Sequence, residues 1–266
     1  MNKVALYYLE NNQNISKTDI SSVVAKIEKM GIEVTQVTDV QIKVLSDHQL
    51  MITLGGDGTI LRASMVALQY GLPLLGISKG NLGFLAEVQS KDIRKALEDY
   101  TQEAYFFDER HLLQMTYQKS QQLALNEITI KNNGIKMIEL EVYLNDMYLT
   151  TYKADGLILS TSTGSTAYNL SAGGPIIFPD TKAIIITPIC SHSLTVRSLV
   201  VSSGDTIKII PKGKDNWFSI DGNEPVHFSN KQISISYSDE FINFVRFSKH
   251  TFIDGLRNKL NWSGKL

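Results

Sequence analysis

Apolar and polar positions follow two rhythms along the chain, and the rhythm changes near Ala104. Before that point short apolar runs are separated by stretches of helical period. The runs "KVALYYL", "IEVTQV", "QLMITL" and "LPLLGI" read as strands. Between them "SKTDISSVVAKIEKMG" reads as a helix, with Ser16 or Thr18 available as its cap and Gly31 just past its end. A second helix, "TILRASMVALQYG", begins near Thr59, carries Leu61, Met65 and Leu68 on one face and stops at Gly71; "KDIRKALEDYTQ" gives a third. Strand–helix–strand order of this kind predicts right-handed crossovers and a parallel sheet.

From Ala104 to about Arg246 the period shortens. "HLLQMTYQ", "LALNEITI", "MIELEVYLN", "MYLTTYKA", "GLILSTS", "TIKIIP", "WFSID", "QISISYS" and "FINFVRF" are short alternating runs punctuated by turn residues, the pattern of a mainly antiparallel domain. One glycine-rich stretch, "TGSTAYNLSAGG", interrupts them and opens a short helix. "TFIDGLRNKLNW" closes the chain as a helix. The expected organisation is a Rossmann-like α/β N-terminal domain with a parallel sheet over residues 1–103 and a β-rich C-terminal domain over 104–248. A C-terminal helix, in 249–266, is expected to return to the first domain.

Composition narrows the setting. The 266 residues, 43% apolar and 20% charged, suffice for one large domain or two modest ones. A formal net charge of −1 points to neither nucleic acid nor an acidic membrane surface as partner. The one cysteine, Cys190, excludes an internal disulfide, fits a reducing compartment and reads as a small buried hydrophobe. The N-terminus lacks the apolar core of a secretory peptide, and "AIIITPIC" is about half a membrane span and contains Pro188. A cytoplasmic protein without a membrane partner is expected. The five histidines are scattered, so no His/Cys metal cluster is predicted.

Chemistry gathers around "GGDGT" (residues 55–59). A strand running into glycines and then a helix lets the backbone approach a ligand and offers free N–H groups to an anion. The chain has no Gly-Lys-Ser/Thr for a P-loop, and Leu61 stands where the dinucleotide fingerprint needs its third glycine. Asp57 can cap the helix, hold Mg²⁺ or accept a hydroxyl proton. A second stretch, Tyr152–Ile176, packs six Ser/Thr hydroxyls between Ser160 and Thr166 beside Tyr168, Asn169 and glycines. It reads either as a turn of small residues or as a binding loop for phosphate, ribose and base. Two such regions in domains of different type suggest a ligand cleft.

Together these segments resemble the NAD kinase family of bacterial type. The resemblance rests on "GGDGTILRA" (55–63), "GNLGFLAE" (80–87), "LNEITI" (125–130), "ADGLILSTSTGSTAYNLSAGGPI" (154–176), "ITPICSHSLTVRSLVV" (186–201) and "DGN" (221–223), in the family order. The first 45 residues carry no family motif. The resemblance implies ATP-dependent phosphorylation of the 2′-hydroxyl of the adenosine ribose of NAD to give NADP. Mg²⁺ would arrive with ATP, and the protein would be a homodimer or homotetramer. The competing readings are a lipid kinase sharing GGDGT, which would lack the 155–175 block, and a non-catalytic dinucleotide-binding regulator.

By the same resemblance Asp57 is the catalytic aspartate that accepts the 2′-hydroxyl proton, Gly58 its neighbour in the turn and Arg62 a position one turn on. Asn126 and Glu127 would hold the adenosine region and Asp155 the dinucleotide. Thr163, Thr166, Ala167, Tyr168, Asn169, Leu170 and Ser171 would line the adenine and nicotinamide ends. Lys153, Lys136 and Asn223 match weaker positions of the same surface. Asn223 reads equally as part of a hairpin turn in "IDGNEP", and Arg62 also as a solvated helix residue. Two departures stand out: Ser162 replaces the usual proline, and Ser78 replaces a common asparagine near Asp57.

Overall fold

The computed structural model describes residues 1–41, 44–80, 82–134, 136–213, 215–248 and 251–262. Asn81 of the 80–87 motif, and residues 249, 250 and 263–266 of the expected C-terminal segment, lie outside the described residues. The chain divides into two compact units, Met1–Glu109 with Ile242–Leu266, and Arg110–Phe241.

The first unit holds strands β1 (Lys3–Tyr8), β2 (Glu33–Thr38), β3 (Leu50–Leu54), β4 (Leu74–Ser78) and β5 (Val88–Gln89), and helices α1 (Lys17–Glu28), α2 (Asp57–Tyr70) and α3 (Ile93–Thr101). β2, β1, β3 and β4 pair in that order, all parallel, and β5 adds to β4. Alternate residues divide between the faces. Val4, Leu6, Leu50, Ile52, Leu75 and Ile77 share a core with Val23 and Ile27 of α1 and Ile93 and Leu97 of α3. α1 is opened by Ser16, whose hydroxyl takes the Asp19 N–H at 3.2 Å while Asp19 takes the Ser16 N–H at 2.8 Å.

α2 covers the sheet with Ile60, Ala63, Val66 and Ala67 rather than with Leu61, Met65 and Leu68, which are only partly buried. Two alanines let the helix approach closely, and Gly76 on β4 makes room for Ile60, whose Cδ1 would lie 2.8 Å from a Cβ there. The helix also starts two residues earlier than predicted, at Asp57, and ends as predicted at Gly71, with φ 62°.

The second unit is antiparallel. Its strands are β6 (Phe106–Tyr117), β7 (Ser120–Ala124), β8 (Glu127–Asn132), β9 (Ile138–Leu144), β10 (Met147–Ala154), β11 (Gly156–Ser160), β12 (Ala183–Ile189), β13 (Leu199–Ser202), β14 (Thr206–Lys212), β15 (Asn216–Ile220), β16 (Val226–Phe228) and β17 (Ile233–Arg246). One sheet runs β13–β12–β11–β8–β15–β16; the other orders β10–β9–β14–β17, with β6 beside β17 and β7 beside β6. Inward residues of both sheets, among them Ile128, Ile130, Leu157, Leu159, Ile138, Leu140, Ile207 and Ile209, form one core. The runs "QISISYS" and "FINFVRF" are a single strand, β17, whose last residues return to the first unit and pair Phe244 with Leu74 of β4. "AIIITPI" forms the interior strand β12, between β13 and β11. Its Pro188 is tolerated because pairing with β13 ends at Ile186.

A short helix, α4 (Tyr168–Ser171), follows a 3₁₀ turn at Thr163–Thr166, and α5 (Thr251–Lys259) belongs to the first unit. Among the described residues no helix is long and apolar enough to cross a membrane.

Candidate active site

β3 is buried along its whole length and delivers the chain to Gly55. A Cβ on Gly55 would lie 2.6 Å from Thr59 Cβ, so the first turn of α2 itself requires glycine there. Gly56 and Gly58 differ. A Cβ on either would meet no described atom within 4 Å, and neither has positive φ. Protein packing does not demand glycine at these two positions, which leaves the surface bare for a ligand's close approach.

Asp57 is the first residue of α2, and Gly56 caps the helix without a side-chain bond. The carboxylate turns instead to the loop after β4. Oδ2 accepts the Phe84 N–H at 3.0 Å and Oδ1 the Leu85 N–H at 3.1 Å. Gly83 lies so close that a Cβ would stand 2.6 Å from Oδ2 and nearer still to Oδ1. On the far side of this loop Arg246 donates to the Leu85 carbonyl at 3.0 Å and to Glu87 at 3.1 Å, and Glu87 takes the Phe247 N–H at 3.0 Å. Ser78, the departure from asparagine, is buried and accepts the Gly80 N–H at 3.2 Å, so it braces the start of the same loop.

A third group reaches Asp57. Lys259 of α5 donates to Oδ2 at 2.9 Å, and its ammonium sits 4.8 Å from the Phe84 ring centroid. Burial pushes the Asp57 carboxyl upward, but the hydrogen bond and charge of Lys259, with the two N–H groups, outweigh it and hold the group below the usual carboxylate range. Arg62, one turn along α2, is exposed, and its charge bears on the Tyr7 hydroxyl.

In the second unit the run "LALNEITI" breaks at Leu125–Asn126, between β7 and β8, and the break is shaped by a carboxylate. Asp221 accepts the N–H groups of Leu125, Asn126 and Glu127 at 2.8, 2.7 and 3.0 Å. It can do so because Asp221 and Gly222, with φ 51° and 70°, form the turn between β15 and β16, closed by the Asn223 N–H on the Ile220 carbonyl at 2.9 Å. Asn223 is exposed at the end of that turn. The Asn126 carbonyl receives the Thr161 N–H at 2.9 Å and the Ser160 hydroxyl at 3.1 Å. Gly164 packs directly on it, leaving no room for a side chain.

Glu127 is 6% exposed; it accepts the Tyr168 N–H, and its Oε2 has no hydrogen-bond partner among the described residues. Burial, then the nearby Asp221 charge, push its carboxyl up to about 8, and burial raises Asp221 to about 6 against its three N–H donors. Glu127 therefore carries its proton at neutral pH.

Asn169 is fully buried. Its amide donates to the Ser165 and Pro175 carbonyls, both at 3.0 Å, and accepts the Thr187 hydroxyl at 2.7 Å, so it frames the loop from within. Thr163 is also buried and receives Arg110 at 3.4 Å. Ser162, in place of proline, bonds the Thr181 carbonyl and keeps the turn anchored. Thr166, Ala167 and Leu170 are partly buried, and Tyr168 and Ser171 are exposed. Tyr168 and Ser171 help line a cavity of about 690 Å³ with residues 188–198, including Cys190 and Arg197. Cys190 is thus exposed at φ 47°, not the buried hydrophobe that composition suggested. Asp155 is exposed, with its N–H on the Ile189 carbonyl at 2.9 Å. Lys153 pairs with Glu139 at 3.4 Å, and Lys136 is exposed between β8 and β9.

The structure thus gathers Asp57 and Gly58 at one turn, and Asn126, Glu127 and the 163–171 loop around another. Sequence reasoning missed Lys259, Asp221, Gly83 and Arg110. "DGN" and "GNLGFLAE" marked the places of Asp221 and Gly83 without their roles. Nothing in the sequence signalled Lys259.

In fold the chain joins a parallel α/β unit to an antiparallel β unit, an architecture shared with solved kinases. It superposes on yeast NADH kinase complexed with NADH at a TM-score of 0.86 and 24% identity, over 100% of this chain and 89% of that one. An NAD kinase from Archaeoglobus fulgidus in complex with ATP gives 0.79 at 23% identity, over 97% and 98%. The ATP-NAD kinase N-terminal domain model matches residues 7–105, taking in most of the segment that showed no motif, and the C-terminal domain model matches 125–247. NAD kinase of Flavobacterium johnsoniae is 42% identical over 82% of this chain and 77% of its own length, and that of Clostridium tetani 37% over 84% and 88%. The chain belongs to the NAD kinase family.

Proposed function

We propose that the protein transfers the γ-phosphate of ATP to the 2′-hydroxyl of the adenosine ribose of NAD, giving NADP, with Asp57 as the group that receives the hydroxyl proton. The observation that carries this is the Asp57 carboxylate: fixed by two backbone N–H groups, partly exposed, and set between two glycines whose space the protein leaves empty. A carboxylate held below its usual range is a weak base toward an alcohol. It orients the hydroxyl and takes its proton late, as charge leaves the oxygen.

Asn126 and Glu127 recognise the adenosine end. Glu127, protonated, offers a donor where an ionised carboxylate would offer only acceptors. Tyr168 supplies a face for stacking. Thr163 and Asn169 shape the loop from inside, while Thr166, Ala167, Leu170, Ser171, Asp155, Lys153, Lys136 and Asn223 supply its outer contacts. Mg²⁺ enters with the donor, held by the ATP phosphates and water, since the cation keeps much of its hydration. No observation favours the lipid-kinase or non-catalytic readings.

The test is incubation with NAD, ATP and Mg²⁺, with NADP measured for the wild type and for Asp57→Asn. The variant is expected to bind NAD and to lose roughly 10²–10⁴-fold in kcat, the usual worth of general-base help. Near-normal turnover in Asp57→Asn would remove Asp57 from the reaction.

A further inference from the structure

We propose that Lys259, on α5, is a positioning residue of the transfer step: it pins the Oδ2 edge of Asp57 so that Oδ1 faces the acceptor hydroxyl. This rests on the NAD kinase reading and adds to it a residue that no motif in the chain indicated.

The first support is a count of lone pairs. An ionised carboxylate accepts about four hydrogen bonds, two at each oxygen. Oδ2 already takes the Phe84 N–H and the Lys259 ammonium, and Oδ1 takes only the Leu85 N–H. Among the described residues one acceptor site remains, on Oδ1. Without Lys259 the free sites would be split between both oxygens, and the hydroxyl could settle on either.

The second support is how α5 presents the ammonium. Phe252, Gly255 and Lys259 lie on one helix face, at spacings of three and four. Phe252 meets the Phe84 ring at 5.9 Å between centroids. Gly255 sits against the same ring, where a Cβ would come within 3.0 Å of Phe84 Cδ1. Lys259 then extends across Phe84 to Asp57. Phe84 therefore seats the helix and carries the ammonium with its ring, and its backbone supplies the N–H on Oδ2, which is more than a surface ion pair requires.

The charges around Asp57 are few. The 83–85 loop contributes two N–H groups, and α5 contributes Lys259. Arg62 on α2 is exposed, with its charge on Tyr7. Lys259 supplies the largest contribution that opposes burial at Asp57, through its hydrogen bond and its charge. In the reaction the acceptor oxygen bonds to the γ-phosphorus as the bridging P–O bond to ADP breaks. The hydroxyl proton passes to Asp57 and on to solvent. Lys259 takes no part in the bonds that change.

The experiment compares wild type, Lys259→Met and Lys259→Arg in NADP formation across pH, together with a carboxyl-carbon NMR titration of Asp57 without substrates, assigned with Asp57→Asn. Lys259→Met is expected to lower kcat at least about tenfold with KM for NAD and ATP little changed. The acid limb of the kcat profile and the Asp57 titration should move up together, the direction expected on losing an adjacent opposite charge. Lys259→Arg should restore the titration and most of kcat. An unchanged or raised kcat in Lys259→Met overturns the proposal, as does a rise in KM for ATP alone, which would put Lys259 on the donor phosphates. An Asp57 titration that does not move overturns it without reference to turnover, even in a variant of lowered stability. Absence of NADP formation by the wild type would instead overturn the functional reading, and the NMR titration would still report on the Asp57–Lys259 pair.

Discussion

Replacing Gly83 with alanine perturbs the catalytic turn from a position with no reactive group of its own. The added methyl would stand 2.6 Å from Asp57 Oδ2 and closer to Oδ1, against 3.4 Å for ordinary contact, so the carboxylate and the loop must part by roughly 1 Å. A free aspartate would swing aside at little cost. Here the carboxylate is held at 3.0 and 3.1 Å by the N–H groups that follow Gly83 in the chain, and a shift of half that size already breaks such bonds. Hydrogen bonds to charged groups contribute about 1.5–3 kcal/mol each. Allowing for partial exposure and some recovery by water, the loss should come to about 3 kcal/mol.

Urea unfolding of Gly83→Ala should read that loss as a lower midpoint at unchanged slope. NADP formation should fall at least about 100-fold in kcat, since displacement of a reacting group by about 1 Å costs on that order. Wild-type midpoint and kcat together would refute the steric reasoning. A lowered midpoint with wild-type kcat would show that the Asp57–loop contact serves stability alone.

Two further outcomes are expected. Glu127 is raised from 4.5 to about 8 on folding, and Asp221 moves in the same direction, so the folded state binds more protons. The stability they contribute is complete below pH 3.8 and is lost as pH rises toward about 8; Glu127→Gln should flatten most of that slope in urea midpoints taken at about pH 5 and pH 8, and an identical slope in the variant would refute the buried-acid assignment. Separately, if the chain forms the homodimer or homotetramer that the resemblance implies, the apolar tip of Met147 and Tyr148, 68% and 58% exposed at the β9–β10 hairpin, is the contact to test. Light scattering should return a multiple of the chain mass that falls for Met147→Lys/Tyr148→Lys, and a monomeric wild type would refute it.

Legibility followed distance along the chain. α1 and its Ser16 cap, the Gly71 stop and the strand-to-helix turn at "GGDGT" are set by residues within one or two turns of each other, and sequence pattern reads such features well. The face of α2 was misread because period alone ranks Leu61, Met65 and Leu68 above Ala63 and Ala67, whereas close packing on a sheet favours the smaller side chains. β17 looked like two strands because Asp239 and Glu240 interrupt its apolar alternation, yet the pairing partners on either side keep it continuous. The resemblance named the loop around Tyr168 but could not separate the exposed residues from Asn169, whose amide is wholly taken up by protein partners.

The same rule explains why Asp57 was found while its partners, and the role of Asp221, were not. Asp57 is conspicuous because it stands among three glycines where a strand runs into a helix. What holds each is a set of backbone N–H groups 27 and 28 positions away for Asp57, and 94 to 96 away for Asp221. A backbone N–H is present at every residue except proline and leaves no mark in a sequence. Lys259 is further still, 202 positions from Asp57, and one lysine among several near the chain's end looks like a solvated helix face. The chemistry assigned to Asp57 depends on both kinds of partner: the N–H groups fix where the carboxylate stands, and the ammonium fixes its charge and which oxygen remains free. A sequence motif of five residues could name the reacting group, but its basicity and orientation are set by Phe84, Leu85 and Lys259, and only substitutions at or beside those residues separate a catalytic carboxylate from a structural one.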